Sequence, residues 1–448
     1  MELKECRKWV ARDKEVIAPC QHLSYYDLVV ERADGDILTD ADGNRYIDFL
    51  TSASSLNLGS RNPEVMAAAM EQLGKCTQFT AAYSYNKPMI EYAEELVRLF
   101  PGGEAKVCFG NCGSDANDAA VKFCRAYTGR QKIVTFLNSY HGNTYGSSTL
   151  SACTARMSDR MGPFLPEVYH FPFFGVDVDD AVCEAECLKE MTAAFGSYLS
   201  PKEIAAVIIE PMQGDGGLLP AHPIFMKKLY ELCREHGILF IAEEVQQAFF
   251  RTGKWFSIQH YADLGVCPDG IIMGKSLGGG FTLGAFMARR EIMDCLPAPA
   301  HLFTLGGNHL ACAAGLASLR IYQTDAFQQT LARNIADMEQ GLAALKEKHS
   351  GIVSFTRGLG MSCGIGIVKK DANGQTVPDL EGSFKIVYRA YELGLIVITV
   401  AGNVLRIQPP VNIAQENLRR GFEILDQAMT ELESGSIPDD VLAFRAGW

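Results

Sequence analysis

The chain has 448 residues, 48% hydrophobic and 21% charged, an ordinary globular composition that suits one large α/β domain with a smaller companion. A net charge of −12 and an isoelectric point near 5.3 argue against a nucleic-acid or anionic-membrane surface, since binding either relies on clustered lysine and arginine. The opening MELKECRKWV is charged, no apolar run approaches bilayer-spanning length, and the 14 cysteines form no CxxC pair. These features predict a cytoplasmic protein with reduced thiols, no membrane segment and no metal site.

In chain order, ILTDADGNRYIDFL predicts a hairpin, two alternating runs around Asp-Gly-Asn turn chemistry. From about residue 105 strands alternate with helices. KVCFG leads into a helix beginning near Ser114, whose apolar face carries Ala116, Ala120, Phe123 and Tyr127. QKIVTFL and AAVIIE are strands. PIFMKKLYELCREHG is a helix stopped by glycine, followed by the strands ILFIAEEV and GIIMGK. This alternation predicts a mostly parallel central sheet with helices on both faces. After residue 325 the texture changes to long amphipathic helices flanking IVSFTRGLGMSCGIGIV and LIVITV, the pattern of a smaller α+β domain completed by the N-terminal hairpin. The predicted division is 1–58 with 326–448 for the small domain and 59–325 for the large one.

Ligands of open α/β sheets bind beyond the carboxyl ends of the strands, and three such ends carry chemistry. In FGNCGSDAND, Gly113 and Ser114 open a helix whose free N–H groups suit an anion; the competing reading is a serine N-cap with Asp115 and Asp118 complementing the helix dipole. In FIAEEVQQ, alternation puts Glu243 and Val245 on one face and Glu244 on the other. An apolar shelf with one negative charge suits a flat heterocycle with a protonated nitrogen; an ion pair with Arg251 is the alternative. In GIIMGKSLGGG, Lys275 ends an apolar strand, where desolvation makes an amine nucleophilic toward carbonyls; an exposed loop lysine is the alternative. A phosphate cradle, a carboxylate for a ring nitrogen and a reactive amine together ask for pyridoxal 5'-phosphate.

The ordered stretches GNCGSDANDAAVKFCRAYTGRQKIVTF, YHGNTYGS, IIEPMQGDGG, EEVQQAFFRTGK, GKSLGGGFTLGA and FTLGGNHLACAAGLA resemble the class III aminotransferase family of fold-type-I pyridoxal-phosphate enzymes, over nearly the whole chain. SYYDLV, GSDANDA, QGDGG, APAHLFT, VITVAGNVLRIQPP and FRAGW are similar to its amino-acid racemase branch, which includes isoleucine 2-epimerase and α-amino-ε-caprolactam racemase. The resemblance implies that Lys275 is the Schiff-base lysine. It assigns Glu243 to the pyridinium, Val245 and Tyr140 to the two ring faces, Gln246 to the ring hydroxyl and Gly113 with Ser114 to the phosphate. Thr304 would reach that phosphate from the partner subunit of a homodimer with a shared active site, within a dimer or a higher oligomer. Two positions depart from the family: Glu243 stands where Asp is usual, and Cys112 where Ser is usual.

Loss of a Cα proton opens two outcomes. Its return to the cofactor begins transamination, and its return to the opposite face of Cα inverts the amino acid. Inversion benefits from a second acid/base across from Lys275. Asp215 of EPMQGDGG is the candidate, and a loop carboxylate bonded to nearby N–H groups is the alternative. Arg406 of NVLRIQPP matches the position that grips a free α-carboxylate, which disfavours a lactam substrate; a buried structural arginine is the alternative. The expected function is a two-base racemase or 2-epimerase of a branched-chain or aliphatic amino acid, acting through a quinonoid. The alternative is an aminotransferase using an α-keto acid.

Overall fold

The computed structural model describes residues 2–444, so the last residues of FRAGW lie outside the described part. Two compact units divide the chain: Pro63–Thr324 forms one, and Met1–Asn62 joins Asp325–Trp448 in the other.

The central unit is built on seven strands. Their order is Ala105–Gly110, Gly284–Arg289, Gly270–Met273, Leu239–Glu243, Ile204–Ile209, Lys132–Phe136 and Val168–Phe171. Only Gly284–Arg289 runs antiparallel to its neighbours; the other pairings are parallel. Ile204–Ile209, Leu239–Glu243 and Gly270–Met273 are buried at every residue, which explains why they read as unbroken apolar runs rather than alternating ones.

The helix Gly113–Thr128 packs on this sheet through Ala116, Ala119, Ala120, Phe123 and Cys124. Tyr127, predicted on the same face, is 39% exposed because it lies in the last turn. Helix Pro223–His236 stops at Gly237, whose φ of +61° continues no right-handed helix. With six strands pointing one way, the segments after Gly110, Phe136, Ile209, Glu243 and Met273 all leave from the same edge of the sheet.

The second unit holds the predicted hairpin as the strands Ile37–Asp40 and Arg45–Asp48, in a four-stranded sheet with Val30–Asp34 and Leu395–Ile396. A five-stranded sheet contains Val353–Leu359, Ser362–Lys370, Thr376–Pro378, Ile398–Val400 and Val404–Ile407. The long helices Asp325–Lys348 and Gln415–Glu433 accompany it. No helix among the described residues is long and apolar enough to cross a membrane.

Candidate active site

Five segments meet at the carboxyl edge of the seven-stranded sheet, and their glycines show how closely. A methyl group on Gly113 would stand 2.7 Å from Val245 Cγ1, and one on Gly274 would stand 3.0 Å from the Gly113 backbone. One on Gly284 would overlap the Cys112 carbonyl at 1.9 Å. The turn after Gly110 therefore lies directly against Val245 and the residue preceding Lys275.

That turn is closed by Asp115, whose Oδ2 accepts the Asn111 N–H at 2.8 Å. The N-cap is Cys112, which makes no side-chain capping bond, and the helix begins at Gly113. Ser114 is thus inside the first turn and not the predicted cap; its hydroxyl accepts the Asn143 N–H at 3.2 Å. The first N–H groups of a helix have no partner within it, so this end presents donors and a partial positive charge. Asp118 accepts a bond from Thr144 Oγ1 at 2.7 Å, holding the Tyr140 loop to the helix rather than serving only its dipole.

Glu243 ends its strand and is 3% exposed. Among the described residues its carboxylate accepts one hydrogen bond, a long one of 3.5 Å from Asn117 Nδ2. Burial, then the negative charge of Glu210, push its pKa well up, while Lys275 opposes them. The predicted ion-pair alternative with Arg251 is not among these partners. Glu244 goes the other way: Ser257 N–H, Ser257 Oγ and Ile258 N–H donate to it at 2.9, 2.8 and 2.7 Å. It ties down the 3-10 helix Ser257–Leu264, a structural task.

Lys275 is half-buried at the end of Gly270–Met273 and has a φ of +46°, in the left-handed region that a side chain disfavours. A non-glycine residue held there marks a position fixed by its surroundings, and such positions gather at functional sites. Its charge acts on both Glu210 and Glu243.

Tyr140 donates its backbone N–H to Glu210 Oε1 at 3.0 Å, and its hydroxyl accepts from Asn143 Nδ2 at 3.1 Å. Burial, followed by the Asp215 charge, moves its hydroxyl pKa up to about 12. Asp215 is 8% exposed in the loop after Ile204–Ile209. The neighbouring Gly214 is pressed on Gln246, where a methyl group would meet Oε1 at 2.3 Å.

Gly113, Ser114, Tyr140, Asp215, Glu243, Val245, Gln246 and Lys275 thus come together on one unit. Thr304 stays exposed, its carbonyl accepting from Gln78 Nε2 at 3.0 Å. Arg406 belongs to the other unit, 2% exposed in Val404–Ile407, paired with Gly364 and Ile398. Two residues escaped sequence reasoning. Asn117, fully buried, reaches the carbonyls of Gly113 and His141 at 3.0 and 2.9 Å as well as Glu243. Glu210 accepts from two loops. Both were visible only as polar residues in partly apolar contexts, the GSDANDAA and VIIEP runs, where a buried polar group needs partners.

Residues 19–429 match the family described as aminotransferase class-III. The chain is 39% identical to an isoleucine 2-epimerase of Lentilactobacillus buchneri, an alignment covering all of both chains. It is 36% identical to a leucine/methionine racemase of Thermococcus litoralis, with 98% of this chain and 99% of that one covered. An ornithine aminotransferase structure from Toxoplasma gondii, described with partial occupancy of PLP at its active site, aligns with a TM-score of 0.81 at 25% identity, over 96% of each chain.

Proposed function

The chain belongs to the class III aminotransferase family, in which it is a fold-type-I enzyme using pyridoxal 5'-phosphate, and from this premise we propose that it inverts the α-carbon of a free, branched-chain or aliphatic amino acid. The observation that carries the reading is the match to an isoleucine 2-epimerase along the full length of both chains. The alternative, transfer of the amino group to an α-keto acid, draws on the likeness to an ornithine aminotransferase.

The residues fit the cofactor. A buried carboxylate that accepts one long hydrogen bond among the described residues, Glu243, suits a protonated ring nitrogen. The helix start at Gly113 and Ser114 suits a phosphate, and Lys275 suits an aldehyde. Val245 and Tyr140 would pack on the ring faces, and Gln246 would approach the ring hydroxyl. When bound, the group supplies an electron sink that acidifies the Cα–H bond of an amino acid.

In this proposal Lys275 moves the proton at Cα on one face, and Asp215 on the other. Glu243 keeps the ring nitrogen protonated, which it does as an anion. A cation placed against it would draw its raised pKa down again. Arg406 would grip the α-carboxylate with its planar fork. A homodimer, with Thr304 serving the partner's phosphate site, completes the proposal. The exposed Phe79, Tyr83, Tyr85, Leu302 and Leu305 on segments joined by Gln78 and Asn308 support an interface there. The 14 cysteines, all free, support a reducing cytoplasmic setting.

The test is incubation of the cofactor-loaded enzyme with single L-amino acids in deuterated water, without keto acid, followed by chiral analysis. D-allo-isoleucine, or another inverted product, carrying deuterium at Cα is expected. Product formed only when a keto acid is added would favour the aminotransferase.

A further inference from the structure

Glu210 has no role in the reading above, yet it joins the two loops that reading depends on. It directly follows the strand Ile204–Ile209 and is 5% exposed. Its Oε1 accepts the Tyr140 N–H at 3.0 Å and its Oε2 accepts the Gly214 N–H at 2.9 Å. Gly214 immediately precedes Asp215, so one carboxylate is bonded to the backbone beside both side chains. Because both donors are main-chain groups, the bonds place the chain itself rather than a movable side-chain tip.

The same loops touch further back, through Gln213 Nε2 on the Leu137 carbonyl at 2.8 Å and Gly216 against the Asn138 carbonyl. Those contacts bring the loops near each other. The Glu210 bonds lie at their working ends.

We propose that Glu210 is a positioning residue for inversion, a single carboxylate that sets the spacing between the ring-facing Tyr140 and the acid/base Asp215. This deepens the racemase reading and rests on it. Two-base inversion requires the second base to sit opposite the first, within hydrogen-bond reach of Cα, and a displacement near 1 Å costs on the order of 10²-fold in rate. A shorter acid at this position retains charge but retracts by about 1.5 Å, so it cannot reach both loops. The Glu210 charge also acts on Lys275, which gives a readout separate from positioning.

The experiment compares Glu210→Asp, Glu210→Gln and wild type as cofactor-loaded enzymes. Amide hydrogen exchange is followed in peptides containing Tyr140 and Gly214, and Cα deuterium exchange with inversion is followed on L-isoleucine, L-leucine and L-methionine. Both variants are expected to speed amide exchange in at least one of the two peptides. Both are expected to lose about 10²-fold in inversion, chiefly in kcat, while retaining cofactor. Only Glu210→Gln removes the negative charge near the Lys275 nitrogen. It should move the pH at which the bound cofactor changes absorbance downward, by about 1 unit; Glu210→Asp should not. Wild-type amide exchange in both variants, or wild-type inversion in both, would overturn the proposal. The amide measurement needs no substrate. A wild-type enzyme that inverts nothing, while both variants loosen their loops, therefore counts against the racemase reading and for the Glu210 tie.

Discussion

At the scale of single residues, the paired glutamates of FIAEEVQQ show how position decides what a carboxylate does. Among the described residues Glu244 has three donors and Glu243 one distant donor, although they are adjacent. Burial nonetheless outweighs the hydrogen bonds on Glu244 and lifts its pKa from 4.5 to about 7. A carboxyl whose folded pKa exceeds its unfolded value binds protons more tightly when folded. Its stabilisation is therefore fully present below about pH 4.5 and is lost as pH rises through about 7. Glu244→Gln does not titrate, so its stability relative to wild type should rise by on the order of 2 kcal/mol from pH 5 to pH 8. Urea melts at the two pH values would measure it, and a constant gap would contradict the argument. For Glu243, substitution by Asp tests the departure from the family. If the longer side chain strains the ring contact, Glu243→Asp tightens cofactor binding and raises the rate; a weaker, slower enzyme would mean that Asn117 and the strand end have adapted to Glu.

At the scale of elements, the helix Gly113–Thr128 needs a glycine at its first position for a packing reason. A side chain there meets Val245. Gly113→Ala should leave the fold intact and reduce cofactor affinity about tenfold or more, read by fluorescence titration with pyridoxal phosphate, because the donors at the helix start are displaced. In the other unit, His349 follows helix Asp325–Lys348 and is 1% exposed. Its ring nitrogens lie 2.7 Å from Glu433 Oε2 and 3.0 Å from Asp426 Oδ1, both on helix Gln415–Glu433. His349→Ala leaves two carboxylates without this partner and opens a void, and should lower unfolding free energy by about 2–4 kcal/mol in denaturant melts.

At the scale of the whole molecule, the proposed homodimer predicts linked losses. Charges introduced by Tyr83→Asp and Leu305→Asp should shift the particle to monomer mass by light scattering. If Thr304 serves the partner's phosphate site, cofactor affinity falls with the dimer. A monomer that holds cofactor as tightly as wild type would separate the two.

The division between sequence and tertiary structure follows from the range of each interaction. Strand and helix identities were readable because burial on both faces of a parallel sheet writes itself as runs such as IAAVII, and a helix covering it as Ala116, Ala120 and Phe123. The opposite faces of Glu243 and Glu244 followed from the two-residue period of a strand. Tyr127 departed because periodicity carries no information on where a helix outruns its support. The cofactor chemistry was readable from residue types at strand ends. The roles of Asn117 and Glu210 were not, since their partners are backbone groups 24 and 70 residues away, which no local pattern records. Side-chain type and local period are properties of the chain; which loop ends share one carboxylate is a property of how the sheet brings distant edges together.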